Sequence, residues 1–500
     1  MIYLRPKKLD ILGNNASLEV YLNRFTADQY GVKDGDLLDL YFVGHETGAI
    51  AIITDTIVDD GHVGLPAALW NTFPVSEMDR VAMEIQGQAK SVKSIRKKIK
   101  GNKLDYEEIR EIMYDIAKRR LSPIEMTYFA STSYNPGFDD EEMYHLTKAM
   151  ADTGIIMDFS ELGKPVVDKH SIGGLPSKGV TPVLVSVLSA LDFVIPNTST
   201  RAITAPAGTT DILETVMPVS LDEKGIKRVV AETNGCLVWG GGLDLAPADD
   251  ILIQIEKPLH IESYDKFVVS IIAKKIAAGC EYVLLDLPYG ETAKVPESDV
   301  PKVSKAFEDL FEKFGIKVHV YKRQAKGPDG FGIGPKLEMR DVLWILERDK
   351  RRPVMMENLA LDMAAQLMAL TGKYTYQSAH EVLRETLESG TALKQFWKIA
   401  KSQGALTIVS AHELEPGQFT YDIKASKSGI VKNFDNHMIV QTTRALGAPY
   451  AKGAGIYLHC QVGDRIAEGD VVATLYAEAQ SRVDLAVKNL DGHQDGWIIV

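Results

Sequence analysis

Asp168-Lys169-His170-Ser171-Ile172-Gly173-Gly174-Leu175-Pro176-Ser177-Lys178-Gly179 is the stretch that decides the fold. It lies between the short apolar run Pro165-Val166-Val167 and the apolar, helical stretch Thr181 to Leu191. The order is strand, glycine loop, helix. Glycines let backbone N–H groups approach an anion, and a helix N-terminus favours negative charge. Lys169 adds a full positive charge and Ser171 a hydroxyl. The spacing is not the G-x-x-x-x-G-K-[ST] of a Walker loop. Taken alone, the segment reads either as an oxyanion loop or as a structural turn.

Outward from this loop the same texture repeats. Phe193-Val194-Ile195-Pro196, Cys236-Leu237-Val238-Trp239, Tyr282 to Asp286 and Lys317 to Tyr321 read as strands. Thr209 to Val216, Asp265 to Ala278 and Pro301 to Phe314 read as helices between them. Repeated β-then-α units predict an α/β layer structure. Helical patterns continue over Arg340 to Leu346, Pro353 to Leu370 and Ser378 to Lys401.

A second loop, Asn197-Thr198-Ser199-Thr200-Arg201-Ala202-Ile203-Thr204 with Ala205-Pro206-Ala207-Gly208-Thr209-Thr210-Asp211, also follows a strand and precedes a helix. Its hydroxyls suit phosphate lone pairs, or they cap the next helix. Both loops sit at strand carboxyl ends, where open α/β sheets place ligands. Ser270 and Lys274 are four apart and share a helix face, unless the lysine is simply a surface one. Asp286 to Lys294 runs from a strand end into a loop with one lysine.

Before the α/β region, residues 1 to about 85 are strand-like, with turn signals at Lys33-Asp34-Gly35-Asp36 and Asp59-Asp60-Gly61. Lys90 to Lys103 is basic and Gly-interrupted, which reads as a linker with a solvated charged face. Helices are expected from Asp105, whose spacing to Glu108 resembles a capping box, from Ser122-Pro123, and over Asp139 to Ala151. From about residue 416 strands and turns return. Ser426 to Val431 and Val462 to Val472 look like the hammerhead of a biotinyl- or lipoyl-type barrel. No convincing modifiable lysine sits on a hairpin tip, so a structural role is expected.

Composition narrows the function. The 500 residues are 45% hydrophobic and 25% charged, as in soluble globular proteins. About three domains fit that length. The formal charge of −12 argues against nonspecific nucleic-acid or membrane binding. Three distant cysteines, Cys236, Cys280 and Cys460, argue against a disulfide framework. The start, Met1 to Lys8, lacks a signal-peptide core. Val180 to Ile195 contains Ser186, Ser189 and Asp192 and falls short of the roughly 20 apolar residues of a membrane span. A cytoplasmic protein is expected. The eleven histidines form no metal motif, and no G-x-S-x-G elbow occurs.

The segments Asp168 to Gly174, Ser199 to Thr204, Ala207 to Thr209, Leu245-Ala246-Pro247-Ala248-Asp249-Asp250, Ser270 to Lys275 and Gly334-Pro335-Lys336-Leu337-Glu338 together resemble the thymidine/pyrimidine-nucleoside phosphorylase family. The chain is most similar to its longer branch, the AMP phosphorylases, over nearly all its residues. The resemblance implies an α/β multidomain protein. A small β-rich N-terminal domain would span 1–85. A helical lobe would span 86–163, completed by about 247–280. A large α/β phosphate- and nucleotide-binding lobe of the nucleoside phosphorylase type would span 164–415. A C-terminal α+β barrel-sandwich-like lobe would span 416–500. The substrate cleft would lie between helical and α/β lobes that close by a hinge.

The implied reaction is phosphorolysis. Phosphate attacks C1′ of AMP, and of CMP or UMP, giving free base and ribose 1,5-bisphosphate. Thymidine phosphorolysis is the alternative, because a close bacterial branch shares the long extension. No metal or organic cofactor is implied; phosphate is a co-substrate. The partners are nucleotide or nucleoside and phosphate, and a homodimer or higher homo-oligomer is implied. Lys169, Ser171, Ser199 and Thr209 match the phosphate ligands. Gly173, Ser199, Thr200, Arg201, Ala202, Ile203, Thr204, Thr209, Ser270, Lys274 and Lys294 match nucleotide-binding positions. Either Arg201 or Lys294 would hold a 5′-phosphate. His170 matches an imidazole near sugar and base.

Two positions depart from the family. Its proton donor is an aspartate eight residues before the equivalent of Ser270. Here that residue is Glu262, with His170 and Asp265 as alternative donors. The first loop usually continues Lys-Thr-Ser, whereas here it reads Gly179-Val180-Thr181, so the phosphate pocket is expected to differ.

Overall fold

Period-two burial along Ile2–Lys8, with Ile2, Leu4 and Pro6 inward, starts the first module. In the computed structural model, six strands close a barrel: β1 (Ile2–Lys8), β2 (Glu19–Asn23), β3 (Leu37–Phe42), β4 (His45–Thr54), β5 (His62–Leu65) and β6 (Val81–Ile85). Their order is β1-β5-β2-β4-β3-β6, and the antiparallel pairing of β1 with β6 closes it. Val20, Leu22, Leu38, Leu40, Val63 and Leu65 fill the interior without exposure. Two short helices, α1 (Arg24–Tyr30) and α2 (Ala67–Trp70), interrupt what the sequence presents as strands alone. The structure describes all residues except 14–17, 43, 74, 88, 203–204, 244, 257–262, 491–497 and 500.

Four helices follow: α3 (Ser91–Ile99), α4 (Tyr106–Ala117), α5 (Pro123–Ser131) and α6 (Asp140–Asp152). Three start at capping boxes, Asp105 with Glu108, Ser122 with Glu125, and Asp139 with Glu142. The Lys90 to Lys103 region is not a linker, and its charge is not all solvated. Val92 and Ile95 are buried three residues apart, so Lys98 falls on the same inward face of α3. Its ammonium meets Glu142 Oε2 at 2.6 Å, and each side chain is 3% exposed.

The chain then enters β7 (Val167–Ser171), α7 (Val180–Ala190), β8 (Ile195–Ser199), α8 (Thr209–Leu213), α9 (Glu223–Thr233) and β9 (Gly235–Trp239). Next come α10 (Pro247–Glu256), which packs on α4 and α5, and α11 (Tyr264–Ala277). After these follow β10 (Tyr282–Tyr289), α12 (Val300–Lys313), β11 (Lys317–Gln324), α13 (Pro335–Leu346), α14 (Val354–Leu370), α15 (Tyr376–Glu388) and α16 (Thr391–Gln403). By contact the chain forms two units. One is Met1–Ile155 with Leu245–Lys274, and the other is Ile156–Asp244 with Lys275–Val500.

The second unit is built on parallel strands. β11, β10 and β7 form one sheet, β8 and β9 another, and a parallel bridge from Val166 to Val194 joins them. The resulting order is β11-β10-β7-β8-β9. The chain runs outward from β7 to β9, then restarts on the other side of β7. Strand order therefore reverses between β7 and β10, the place where such sheets bind ligands. Strand β8 begins two residues later than Phe193. The Ser378 to Lys401 pattern is two helices, because Gly390 at φ +74° breaks it. Val183, Leu184, Val187 and Leu188 of α7 pack with α13, α14 and α16 into the main core. A further antiparallel sheet of Gly332–Ile333, Gly455–Leu458, Val471–Ala477 and Phe419–Lys424 packs with helices Asn436–Leu446 and Gln480–Asn489.

Removing one partner of the Lys98–Glu142 pair leaves a buried charge. We expect Lys98→Met to lower stability by about 3–5 kcal/mol in denaturant titrations. Lys98→Met with Glu142→Leu should regain most of that loss, short of about 1 kcal/mol for the lost α6 cap. A cost below about 1 kcal/mol for the single variant would contradict the buried pairing.

Candidate active site

Strand alternation divides the loop-bearing strand β7 into two faces. Asp168 and His170 take one face, Lys169 and Ser171 the other. On the first, Asp168 is fully buried. Its Oδ1 accepts from Asn197 Nδ2 at 2.7 Å and from the Lys169 N–H at 2.8 Å, and its Oδ2 accepts from Lys275. Lys275 is itself 1% exposed. This network fixes β7 against β8.

On the second face a small cavity opens, lined by Lys169, Ser171, Ser177, Lys178, Asp286 and Arg323. The register explains the company: Asp286 of β10 lies opposite Ser171, and Arg323 of β11 opposite Pro288. Lys169 Nζ stands 3.7 Å from Asp286 Oδ2 and donates to Thr181 Oγ1 at 3.4 Å. Arg323 engages Asp286 and Asp329, each at 2.8 Å. Burial alone would raise the Asp286 carboxyl, but Arg323 and then Lys169 outweigh it and bring it down to about 2. Burial pushes the Lys169 ammonium down, against the carboxylates that support its charge. His170 does not line this cavity.

The loop itself is shaped by backbone. Gly173 and Gly174 take φ of +95° and +87°, in the left-handed region. A Cβ on Gly174 would come within 2.8 Å of the Lys294 nitrogen. The loops after β7 and β10 therefore pack against each other, which brings Lys294 beside the glycine turn. After β8 the chain closes on Gly208, where a Cβ would meet the Thr200 oxygen at 2.2 Å. Asp211 accepts from the Ala202 and Gly208 N–H groups at 2.7 and 2.8 Å. Ser199 Oγ lies 2.8 Å from Thr210 Oγ1, and Thr209 opens α8. Arg201 forks onto Glu214 at 2.7 and 2.5 Å and stacks on Trp239 at 4.8 Å.

The structure thus gathers Lys169, Ser171, Gly173, Ser199, Thr200, Arg201, Ala202, Thr209 and Lys294 at the carboxyl edge of one parallel sheet. Ser270 and Lys274 belong to the other unit. There the Ser270 hydroxyl and the Lys274 ammonium both reach Asp249 Oδ2 at 2.7 Å. Lys274 is 15% exposed, not a free surface lysine. Asp265 Oδ2 accepts from the Phe138 N–H at 3.4 Å. Glu262, Ile203 and Thr204 lie outside the described residues. Among the described residues no group of three metal-ligating side chains occurs.

Sequence reasoning missed Lys178, Arg323, Asp329, Asp249 and Glu338 as members or supports of these clusters. Arg323 sits in a strand of alternating polar residues and looks like a solvated position. The chemistry open to the β7 cavity is capture of a small oxyanion by ammonium groups and hydroxyls.

Residues 430–495 match the pyrimidine nucleoside phosphorylase C-terminal domain, and residues 92–154 match the helical bundle domain of a glycosyl transferase family. The chain is 35% identical to an AMP phosphorylase of Methanococcus vannielii, over 97% of this chain and 96% of that one. It is also 35% identical to a putative thymidine phosphorylase of Legionella pneumophila, over 89% and 85%. The anthranilate phosphoribosyltransferase of Saccharomyces cerevisiae aligns with a TM-score of 0.50 at 13% identity, over 64% of this chain and 99% of that one. That last likeness concerns the fold.

Gly208→Ala has an allowed backbone angle but no room, so its effect isolates the packing of the β8 loop. We expect a loss of about 1–3 kcal/mol and faster amide exchange at 200–202 and 208. Unchanged exchange there would contradict the closed loop.

Proposed function

We infer the reaction from one premise: the chain belongs to the AMP phosphorylase family. The protein is a pentosyltransferase that uses phosphate to cleave nucleoside 5′-monophosphates. A phosphate oxygen forms a bond to C1′ of AMP, the C1′–N bond to the base breaks, and the base leaves with a proton. The products are adenine and ribose 1,5-bisphosphate. CMP and UMP are further substrates.

The observation that carries this proposal is the Lys169–Ser171 cavity at the reversal of strand order. Positive charge develops on the sugar between an anionic nucleophile and a departing base. Rate then comes from positioning and electrostatic stabilisation, with one proton delivered. Lys169, Ser171, Ser199 and Thr209 hold the attacking phosphate. Gly173 lets the loop backbone approach the nucleotide, and residues 199–204, Ser270 and Lys274 bind it. Lys294 or Arg201 takes the 5′-phosphate. Glu262 delivers the proton. His170 faces away from the Lys169 cavity, which suits contact with sugar or base better than with phosphate.

The reaction needs no metal or organic cofactor beyond its phosphate co-substrate. The protein works as a cytoplasmic homo-oligomer, and no described helix is long and apolar enough to cross a membrane. Residues from 416 onward serve as a barrel-sandwich-like structural lobe. A second reading, thymidine phosphorolysis, draws on the Legionella relative.

Purified protein with phosphate should release adenine and a sugar bisphosphate from AMP, read by chromatography. Lys169→Ala should lower kcat/KM by at least about 100-fold. Lys294→Ala should cut nucleotide turnover and spare nucleosides. No base release from any 5′-monophosphate would refute this function, and faster turnover of thymidine than of AMP would favour the second.

A further inference from the structure

A side chain at position 179 would have to displace the end of Met356. A Cβ there would lie 2.8 Å from Met356 Sδ and 2.9 Å from its Cε, with Val342 Cγ2 at 3.1 Å. The family pattern continues with a lysine at this point of the loop. Here α14 fills that space, and the lysine stands one residue earlier, at 178.

The backbone of Lys178 is fixed. Its N–H donates to Glu338 Oε2 at 2.6 Å, and the Gly334 N–H donates to Glu338 Oε1 at 3.1 Å. Glu338 is 1% exposed, so it ties the end of the β7 loop to the first turn of α13. From this anchor the Lys178 side chain lines the same cavity as Lys169, Ser171 and Ser177. The carboxylates of that cavity are committed elsewhere: Arg323 engages both Asp286 and Asp329, and Lys169 is the other cation near Asp286. Among the described residues, no carboxylate lies within ion-pair distance of the Lys178 ammonium.

We propose that Lys178 is a direct ligand of inorganic phosphate in this cavity, and that bound phosphate holds its ammonium in the charged form. The proposal rests on the phosphorylase function inferred above. An ammonium on a flexible stem brings three donors to an oxyanion, close beside those of Lys169. Five ionisable groups surround it: Lys169 on β7, Asp286 on β10, Arg323 on β11, Asp329 on the following loop and Glu338 on α13, whose carboxyl is pushed up to about 8 by burial and titrates over the same range in wild type and in Lys178→Arg. Burial first, and the like charge of Lys169 second, push the Lys178 ammonium down to about 8, against Asp286, Glu338 and Asp329. Below that pH the empty pocket carries the charge; above it the charge is lost. A bound anion favours the ammonium, so phosphate binding takes up a proton in alkaline solution and weakens as pH rises.

The test is calorimetric titration of the full chain with inorganic phosphate at about pH 7 and about pH 9. Lys178→Met should weaken phosphate binding at least about tenfold at the lower pH. It should leave KM for AMP within about twofold of wild type. Lys178→Arg should bind phosphate yet show less weakening at the higher pH than wild type, because arginine stays charged. Wild type titrated in two buffers of different ionisation heat should take up a proton that Lys178→Arg does not. Wild-type affinity in Lys178→Met, or wild-type pH dependence in Lys178→Arg, would overturn the proposal. Circular dichroism checks folding, and Lys178→Arg carries the test alone if the methionine variant unfolds. Phosphate binding through Lys178 without base release from AMP would refute the phosphorylase function and keep this site. Turnover of AMP with unaltered phosphate affinity in Lys178→Met would refute this site alone.

Discussion

The buried carboxylate of Asp168 is the interaction on which the larger unit depends. It holds three donors at once, from Asn197, Lys275 and its own neighbour's backbone, with no exposure to water. A lone buried carboxylate is costly; one neutralised by an ammonium and filled with hydrogen bonds is stable and directional. Asn197 belongs to β8 and Lys275 to α11, so one side chain joins two strands and a helix. Because faces alternate along β7, fixing Asp168 inward on one side commits Lys169 and Ser171 to the other. The orientation of the loop after β7 is decided beneath the sheet.

Charge is partitioned between surface and interior. The chain carries a formal charge of −12, which would repel small anions at long range. The cavity beside β7 gathers Lys169, Lys178 and Arg323 with Asp286 and Asp329. The two aspartates hold Arg323 in place and keep the cluster from being an unbalanced positive charge in low dielectric. Salt screens exposed charges far more than buried ones, so the long-range repulsion weakens in salt while the cavity keeps its field.

Local chemistry made much of this legible in the sequence. The strand–glycine–helix order around Asp168 to Gly179, the Asp105–Glu108 capping-box spacing, the helix starts at Ser122-Pro123 and Asp139, and the β–α rhythm depend on neighbours within a few residues. What escaped depends on distance along the chain. Lys98 looked solvated because Glu142 is 44 residues away. Arg323 and Asp286 are 37 residues apart, and the amide of Lys178 is tied to a glutamate 160 residues on. A charged residue carries no mark of burial until its partner is known. The Ser378 to Lys401 pattern was different, since Ser389-Gly390 was a visible breaker inside a helical run whose apolar spacing masked it.

Helix α11 ends with adjacent lysines that serve different carboxylates: Lys274 reaches Asp249, and Lys275 reaches Asp168. Successive residues on a helix are separated by about 100° of rotation. Inserting or deleting one residue upstream in α11 would turn both side chains by that angle and part them from their acids together. The length of this helix is therefore held more tightly than its composition. Natural variants of the chain should differ in the identity of its outward residues long before they differ in their number.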